Sequence, residues 1–253
     1  MRDPTTILIT GASSGLGAAL ARAYARPGIV LVLLGRDPAR TAEIAQACRE
    51  AGATAISATV DVTDAAALAA LIADIDRRHP IDLAIANAGV SGGTLGGSET
   101  VEQMRRIAAI NIDGVVNTVA PLIAPMTKRR RGQIALMSSL ASFRGFPGAP
   151  AYCASKAWVR VWGEALRGDL APAGVGVSVI CPGYVDTPMT RANDFPMPML
   201  MTAERAARIV MRGLARNRAR IAFPWPVYVA VRLLAALPPS LVEPLLRNAP
   251  RKG

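Results

Sequence analysis

The chain has 253 residues, 51% of them hydrophobic, 19% charged and only 4% aromatic, which suits one large α/β domain with an aliphatic, alanine-rich core and leaves little room for long disorder. The formal net charge of +11 gathers in residues 205–253, where ten basic residues face one acid, Glu243, and in the run Lys128-Arg129-Arg130-Arg131. No helix-turn-helix, zinc or stacking-aromatic pattern accompanies this charge, so no nucleic-acid partner is expected.

Taken in chain order, residues 6–10 form a short β-branched apolar run, followed by a glycine-rich turn and a helix over 16–26. Residues 29–34 read as a strand buried on both faces. A helix over 38–51 stops at Gly52, and a third strand over 54–60 ends at Asp61. Thr63 is the expected cap of a helix over 64–78. Residues 83–86 are a fourth strand, 101–130 one long helical region, and 134–137 a fifth strand. A helix over 152–170, a strand over 175–180, an amphipathic helix over 202–216 and a strand over 221–223 complete the pattern. Strands alternating with helices imply a Rossmann-like, doubly wound parallel sheet of about seven strands with helices on both faces. Residues 1–223 are therefore expected to form one domain, and 224–253 a C-terminal amphipathic extension. The three cysteines, Cys48, Cys153 and Cys181, are odd in number and lack ligand spacing, so neither a disulfide framework nor a metal site is expected. The first strand begins too early for a secretory leader, and no uncharged apolar stretch reaches the ~20 residues of a bilayer span, which points to a cytoplasmic chain.

The turn after the first strand is Thr10-Gly11-Ala12-Ser13-Ser14-Gly15-Leu16-Gly17. Glycine lets backbone approach a pyrophosphate, and the helix start supplies free N–H groups and partial positive charge. At the end of the second strand an acid would bond the 2′-hydroxyl of an adenosine ribose, whereas an arginine would pair with a 2′-phosphate. This chain has Gly35-Arg36-Asp37 there, which favours NADP(H) over NAD(H). The alternative is that Arg36 is a plain turn residue and Asp37 reaches the ribose, in which case NAD(H) would serve.

Tyr152 and Lys156 open a predicted helix four residues apart, so they share one face. An ammonium there favours the phenolate and brings the phenol, whose ordinary pKa is ~10, toward working range. Ser138-Ser139 follows the fifth strand and Asn87-Ala88-Gly89 the fourth. Asn111 stands inside a helical region, where asparagine is unfavourable unless its side chain has a task. Together, over residues 6–187, these motifs resemble the short-chain dehydrogenase/reductases, in the single-domain branch of about 250 residues. The resemblance rests on the T-G-x-x-x-G-x-G loop, Asp61-Val62, Asn87-Ala88-Gly89, Asn111, Ser139, Tyr152 with Lys156, and Pro182-Gly183 with Thr187. It implies that Tyr152 is the general acid or base and that Lys156 lowers its pKa and holds the nicotinamide ribose. It further implies that Ser139 polarises the substrate oxygen and Asn111 holds a water in a proton relay. Gly11, Ser13, Ser14, Gly15, Leu16, Gly17, Arg36, Asp61, Val62, Asn87, Ala88 and Gly89 would bind the cofactor. So would Pro182, Gly183, Val185 and Thr187 near the nicotinamide.

The segment 189–202 carries Met189, Phe195, Met197, Met199, Leu200 and Met201, an adaptable apolar loop suited to a hydrophobic carbonyl or alcohol substrate. The extension has an apolar stretch over 227–237, flanked by Trp225 and Tyr228 with basic residues on both sides, the marks of a helix lying in a membrane interface. Packing on the domain or on a second copy is the alternative. The extension is similar to tails of family members acting on steroids or long lipids. The expected activity is hydride transfer between NADP(H) and a carbonyl or secondary alcohol of a lipid-like or steroid-like molecule. The expected assembly is a homodimer or homotetramer, with possible peripheral contact at the inner face of an anionic membrane. A non-catalytic cofactor-binding sensor or scaffold, and a basic surface-binding protein, are the competing readings.

Overall fold

The computed structural model describes residues 3–92, 99–191, 193 and 195–246. Six strands arise from the apolar runs: β1 (Thr6–Thr10), β2 (Val30–Gly35), β3 (Thr54–Thr59), β4 (Leu83–Ala86), β5 (Gly132–Met137) and β6 (Val175–Pro182). Two short strands, β7 (Val185–Asp186) and β8 (Met201–Thr202), precede the last one, β9 (Arg220–Phe223). The helices are α1 (Gly15–Tyr24), α2 (Pro38–Glu50), α3 (Ala65–Arg78), α4 (Val101–Ala108), α5 (Gly114–Arg129) and α6 (Pro150–Leu170). They continue with α7 (Pro188–Arg191), α8 (Ala203–Ala215), α9 (Trp225–Ala236) and α10 (Pro239–Leu246).

Seven strands pair in the order β3-β2-β1-β4-β5-β6-β9, every neighbour parallel. Successive strand side chains point to opposite faces, so each central strand feeds two cores. Ile7, Ile9, Leu31 and Leu33 meet α1, α2 and α8 on one side. Leu8, Val32 and Leu34 meet α3, α5 and α6 on the other. The strand order reverses between β1 and β4, and the loops leaving the carboxyl ends of those strands open a crevice there.

Two local features depart from the sequence expectation. The helical region 101–130 is broken by a π-turn over Ala109–Asp113, in which the Gly114 N–H reaches back to the Ala109 carbonyl; the insertion places Asn111 at a fully buried position. By length and composition Val101–Arg129 could cross a membrane, but Val115, Val119, Leu122 and Met126 within it are core residues packed with α3 and the sheet. Asp64, not Thr63, caps α3 through the Ala67 N–H (3.0 Å), because the Thr63 hydroxyl is drawn back to Asp61 (2.8 Å).

Asp82, just before β4, ties three strand starts together. Its carboxylate accepts from the Thr5 N–H (2.8 Å), the Thr5 hydroxyl (2.7 Å) and Arg131 Nε (2.9 Å). Burial would raise its pKa, but these bonds outweigh burial and hold it below the ordinary value. A depressed native pKa contributes stability above the unfolded value of ~3.9 and loses it as pH falls through the native one. Asp82→Asn should therefore lower stability by about 1–3 kcal/mol at neutral pH. In thermal melts the gap from the parent protein should close on acidification below the usual aspartate range.

Candidate active site

The glycine loop turns between β1 and α1 with Gly11 at φ +65° and Gly15 at φ +54°, values that side-chain-bearing residues rarely adopt. A Cβ on Gly17 would lie 2.2 Å from the Gly11 carbonyl oxygen, so only glycine lets the first helical turn fold back on the loop. Ser14, the N-cap of α1, makes no side-chain bond to its own helix, which leaves its hydroxyl and first-turn N–H groups for an anion. Asn87 locks this loop to the end of β4: its Nδ2 donates to the Thr10 and Gly11 carbonyls (3.0 and 3.2 Å). The Asn87 and Ala88 N–H groups both donate to the Thr10 hydroxyl (3.1 Å each).

A cleft of about 820 Å³ runs along this sheet edge. At one end stand Arg36 and Asp61, 3.9 Å apart and both solvent-accessible. Asp61 accepts from the Thr63 N–H and hydroxyl, and the N–H bond above all holds its carboxyl below the ordinary value. Asp37 is occupied differently: its carboxylate caps α2 through the Arg40 N–H (3.0 Å) and pairs with Arg40 Nε (2.6 Å). At the other end stand Ser139, Tyr152 and Lys156. Gly11, Ser13, Ser14, Gly15, Leu16, Val62, Asn87, Ala88, Gly89, Pro182, Gly183, Val185 and Thr187 line the cleft between these ends. Two of the residues singled out in the sequence do not line it: Gly17 and Asn111 are buried behind it. The volume and the free helix start fit a dinucleotide.

Lys156 is 4% exposed, and its ammonium donates to the Met137 carbonyl at the end of β5 (2.9 Å). Desolvation pushes its pKa down to about 8. The Ser138 hydroxyl donates to the Lys156 carbonyl (2.8 Å), so one serine of the pair braces α6 while Ser139 faces the cleft. The Tyr152 phenol moves opposite to the expectation from its ammonium neighbour. Burial raises its pKa, and a hydrogen bond with Ser139 opposes the rise without reversing it. Lys156 Nζ lies 5.8 Å from the ring centroid, too distant to overcome the loss of solvent.

Asn111 spends its side chain on protein. Its Oδ1 accepts from the Val90 N–H (2.8 Å), and its Nδ2 donates to the Val90 carbonyl (2.9 Å) and the Ser155 hydroxyl (3.0 Å). Ser155 in turn donates to the Tyr152 carbonyl (2.8 Å). A Cβ on Gly89 would sit 3.2 Å from both Asn111 Oδ1 and Lys156 Nζ; glycine keeps that gap open.

Several contributors were not picked out from the sequence. Glu99 is 5% exposed and accepts from the Ala151 N–H in the first turn of α6 (2.8 Å); a lone glutamate before a helix carries no signal of that task. Tyr184 sits close enough to raise the Tyr152 pKa further and meets Phe195 edge-to-face at 6.1 Å. Its place directly after Pro182-Gly183 was the available clue. Pairing of Val185 with Met201 and Asp186 with Thr202 pins both ends of the apolar loop; of that loop, residues 192 and 194 lie outside the described ones.

The family model of short chain dehydrogenases matches residues 5–196. An oxidoreductase of Myxococcus xanthus is 38% identical over 244 residues, 96% of each chain. A short-chain dehydrogenase from Sphingobium yanoikuyae, solved in complex with NADPH, superposes with a TM-score of 0.81 at 28% identity, covering 96% of this chain and 97% of that one. A short-chain dehydrogenase/reductase from Burkholderia phymatum, solved with NAD, gives 0.83 at 27% identity over 98% and 96%. With the fold, the cleft and the family match in agreement, this chain belongs to the short-chain dehydrogenase/reductase family of oxidoreductases.

Proposed function

We propose that the protein is an NADP(H)-dependent reductase of hydrophobic carbonyl compounds, working in reverse on the corresponding secondary alcohols. The observation that carries this reading is the meeting of Ser139, Tyr152 and Lys156 at one end of a cleft whose other end presents Arg36. Arg36 is more than half exposed and among the described residues makes one long contact, to Asp61, which leaves its donor fork for a 2′-phosphate. The alternative ribose ligand, Asp37, is already engaged by Arg40.

When bound, the reduced cofactor supplies a hydride to the carbonyl carbon. The protein's part is to hold the carbonyl oxygen and protonate it. Ser139 and the Tyr152 phenol offer two donors where negative charge develops. The raised pKa of Tyr152 keeps the phenol protonated at neutral pH, the form needed for reduction; oxidation requires the phenolate and gains as pH rises. Lys156 bears positive charge below about pH 8, stabilising the phenolate left after proton transfer and offering donors to the nicotinamide ribose. With both its amide atoms engaged, Asn111 offers a water only its backbone carbonyl, and its side chain acts by clamping the Val90 loop to α6. The Tyr184–Phe195 pair and Met189 beside the cleft favour an apolar substrate. Exposed Val101, Met104, Trp158 and Val161 on α4 and α6 support a homo-oligomer formed through those helices.

Tyr152→Phe should lower ketone reduction by roughly 10²- to 10⁴-fold while leaving the NADPH dissociation constant unchanged; retained turnover in a spectrophotometric assay would remove Tyr152 from the mechanism. Arg36→Leu should reduce kcat/KM with NADPH by roughly 10- to 100-fold, the worth of one charged hydrogen-bonded contact, with little change for NADH. Equal losses with both cofactors would reject the 2′-phosphate assignment. In a pH series, reductive kcat/KM should decline above about pH 8 as Lys156 deprotonates. Lys156→Met should abolish that limb along with most of the activity.

A further inference from the structure

The helix α9 has two unlike faces. Inward, Val231 is buried, Tyr228 meets Phe143 edge-to-face at 5.5 Å, and Arg232 lies over the same ring. The helix end is held by Arg144 Nη1, which donates to the Leu237 carbonyl. Outward, on the side away from Val231, Trp225 and Leu233 stand two helical turns apart and are 70% and 65% exposed, and Leu237 and Leu241 in the segment that follows are exposed as well. Large apolar side chains this exposed, gathered in one short segment, mark an interaction surface.

Beside them lies a field of positive charge. Arg205, Arg208, Arg212, Arg216 and Arg218 are exposed, and none forms an ion pair among the described residues. The two features meet in a groove of about 400 Å³ between α8 and α9, where Trp225 and Tyr228 stand with Arg212, Arg216, Arg218 and Arg220. An indole at the boundary between apolar side chains and guanidinium donors matches the layered chemistry of a phospholipid surface, with acyl chains beneath and phosphates above. A second copy fits poorly. A two-fold contact through this face would bring the five arginines of one copy against those of the other, with Glu204 as the one acid on α8 to offset them.

We infer that this face docks the protein on an anionic phospholipid bilayer, with Trp225 and Leu233 entering the interface and the arginines on and just after α8 binding lipid phosphates. Because the inner face of α9 rests on Phe143, four residues beyond Ser139, the docked surface lies one helix away from the candidate active site.

The test is co-sedimentation of the full chain with phosphatidylcholine vesicles made with or without phosphatidylglycerol. The protein should pellet with the anionic vesicles, remain in solution with the neutral ones, and be released by salt. Trp225→Ser/Leu233→Ser and, separately, Arg212→Gln/Arg216→Gln/Arg218→Gln should each weaken binding at least about tenfold. All these positions are exposed, so melting temperature and circular dichroism should be unchanged. Failure of the parent chain to pellet, or variants that bind as tightly as the parent, would overturn the inference. So would substitutions that convert a dimer to a monomer by light scattering while leaving vesicle binding intact, which would make this face a contact between copies.

Discussion

The hydrogen bond from the Lys156 ammonium to the Met137 carbonyl, 2.9 Å long and closed off from solvent, joins the helix that carries the phenol to the strand end that carries Ser139. A lysine at that depth is costly: loss of solvent is the main cause that pulls its pKa to about 8. The fold bears the cost because the same contact fixes α6 against β5, and with it the separation between Tyr152 and Ser139. Ser138 repeats the link from the strand side by bonding the Lys156 carbonyl. Glu99 steadies the start of the same helix from the segment before α4.

The other half of the cleft depends on close backbone approach. Gly17 folds onto Gly11 where any side chain would collide, and Asn87 stitches that turn to the neighbouring strand end. Both halves emerge from carboxyl ends of strands on either side of the order reversal, so a dinucleotide can lie across β1, β4 and β5 without any one loop being long. The buried sheet gives these loops a rigid base, which is what a site acting through fixed donors requires.

The environment of Tyr152 shows how burial and charge compete. A lysine four residues away on one helical face suggests a lowered pKa. In the folded chain the ammonium is turned to Met137, so loss of solvent dominates and the phenol stays protonated. Residue spacing alone does not encode that balance between burial and charge.

Alternation of apolar runs with helical patterns was enough to read the seven-stranded parallel sheet, because a strand buried on both faces and an amphipathic helix leave different periods in the chain. The glycine loop, Arg36, Asn87-Ala88-Gly89, Ser139, Tyr152 and Lys156 were legible for a related reason: each falls directly after a strand or at a helix start, where local chemistry is strict. What lay beyond the sequence depends on contacts between distant segments. The π-turn at Asn111 exists because its side chain bonds Val90 and Ser155, 21 and 44 residues away. Thr63 lost the capping role to Asp64 because Asp61 claimed its hydroxyl. Glu99 has a role only where α6 begins beside it, and α9 has an outer face only because Phe143 occupies the inner one. Periodicity and turn chemistry are local and survive in the linear chain, whereas direction, burial and charge balance are set by neighbours that only folding brings together.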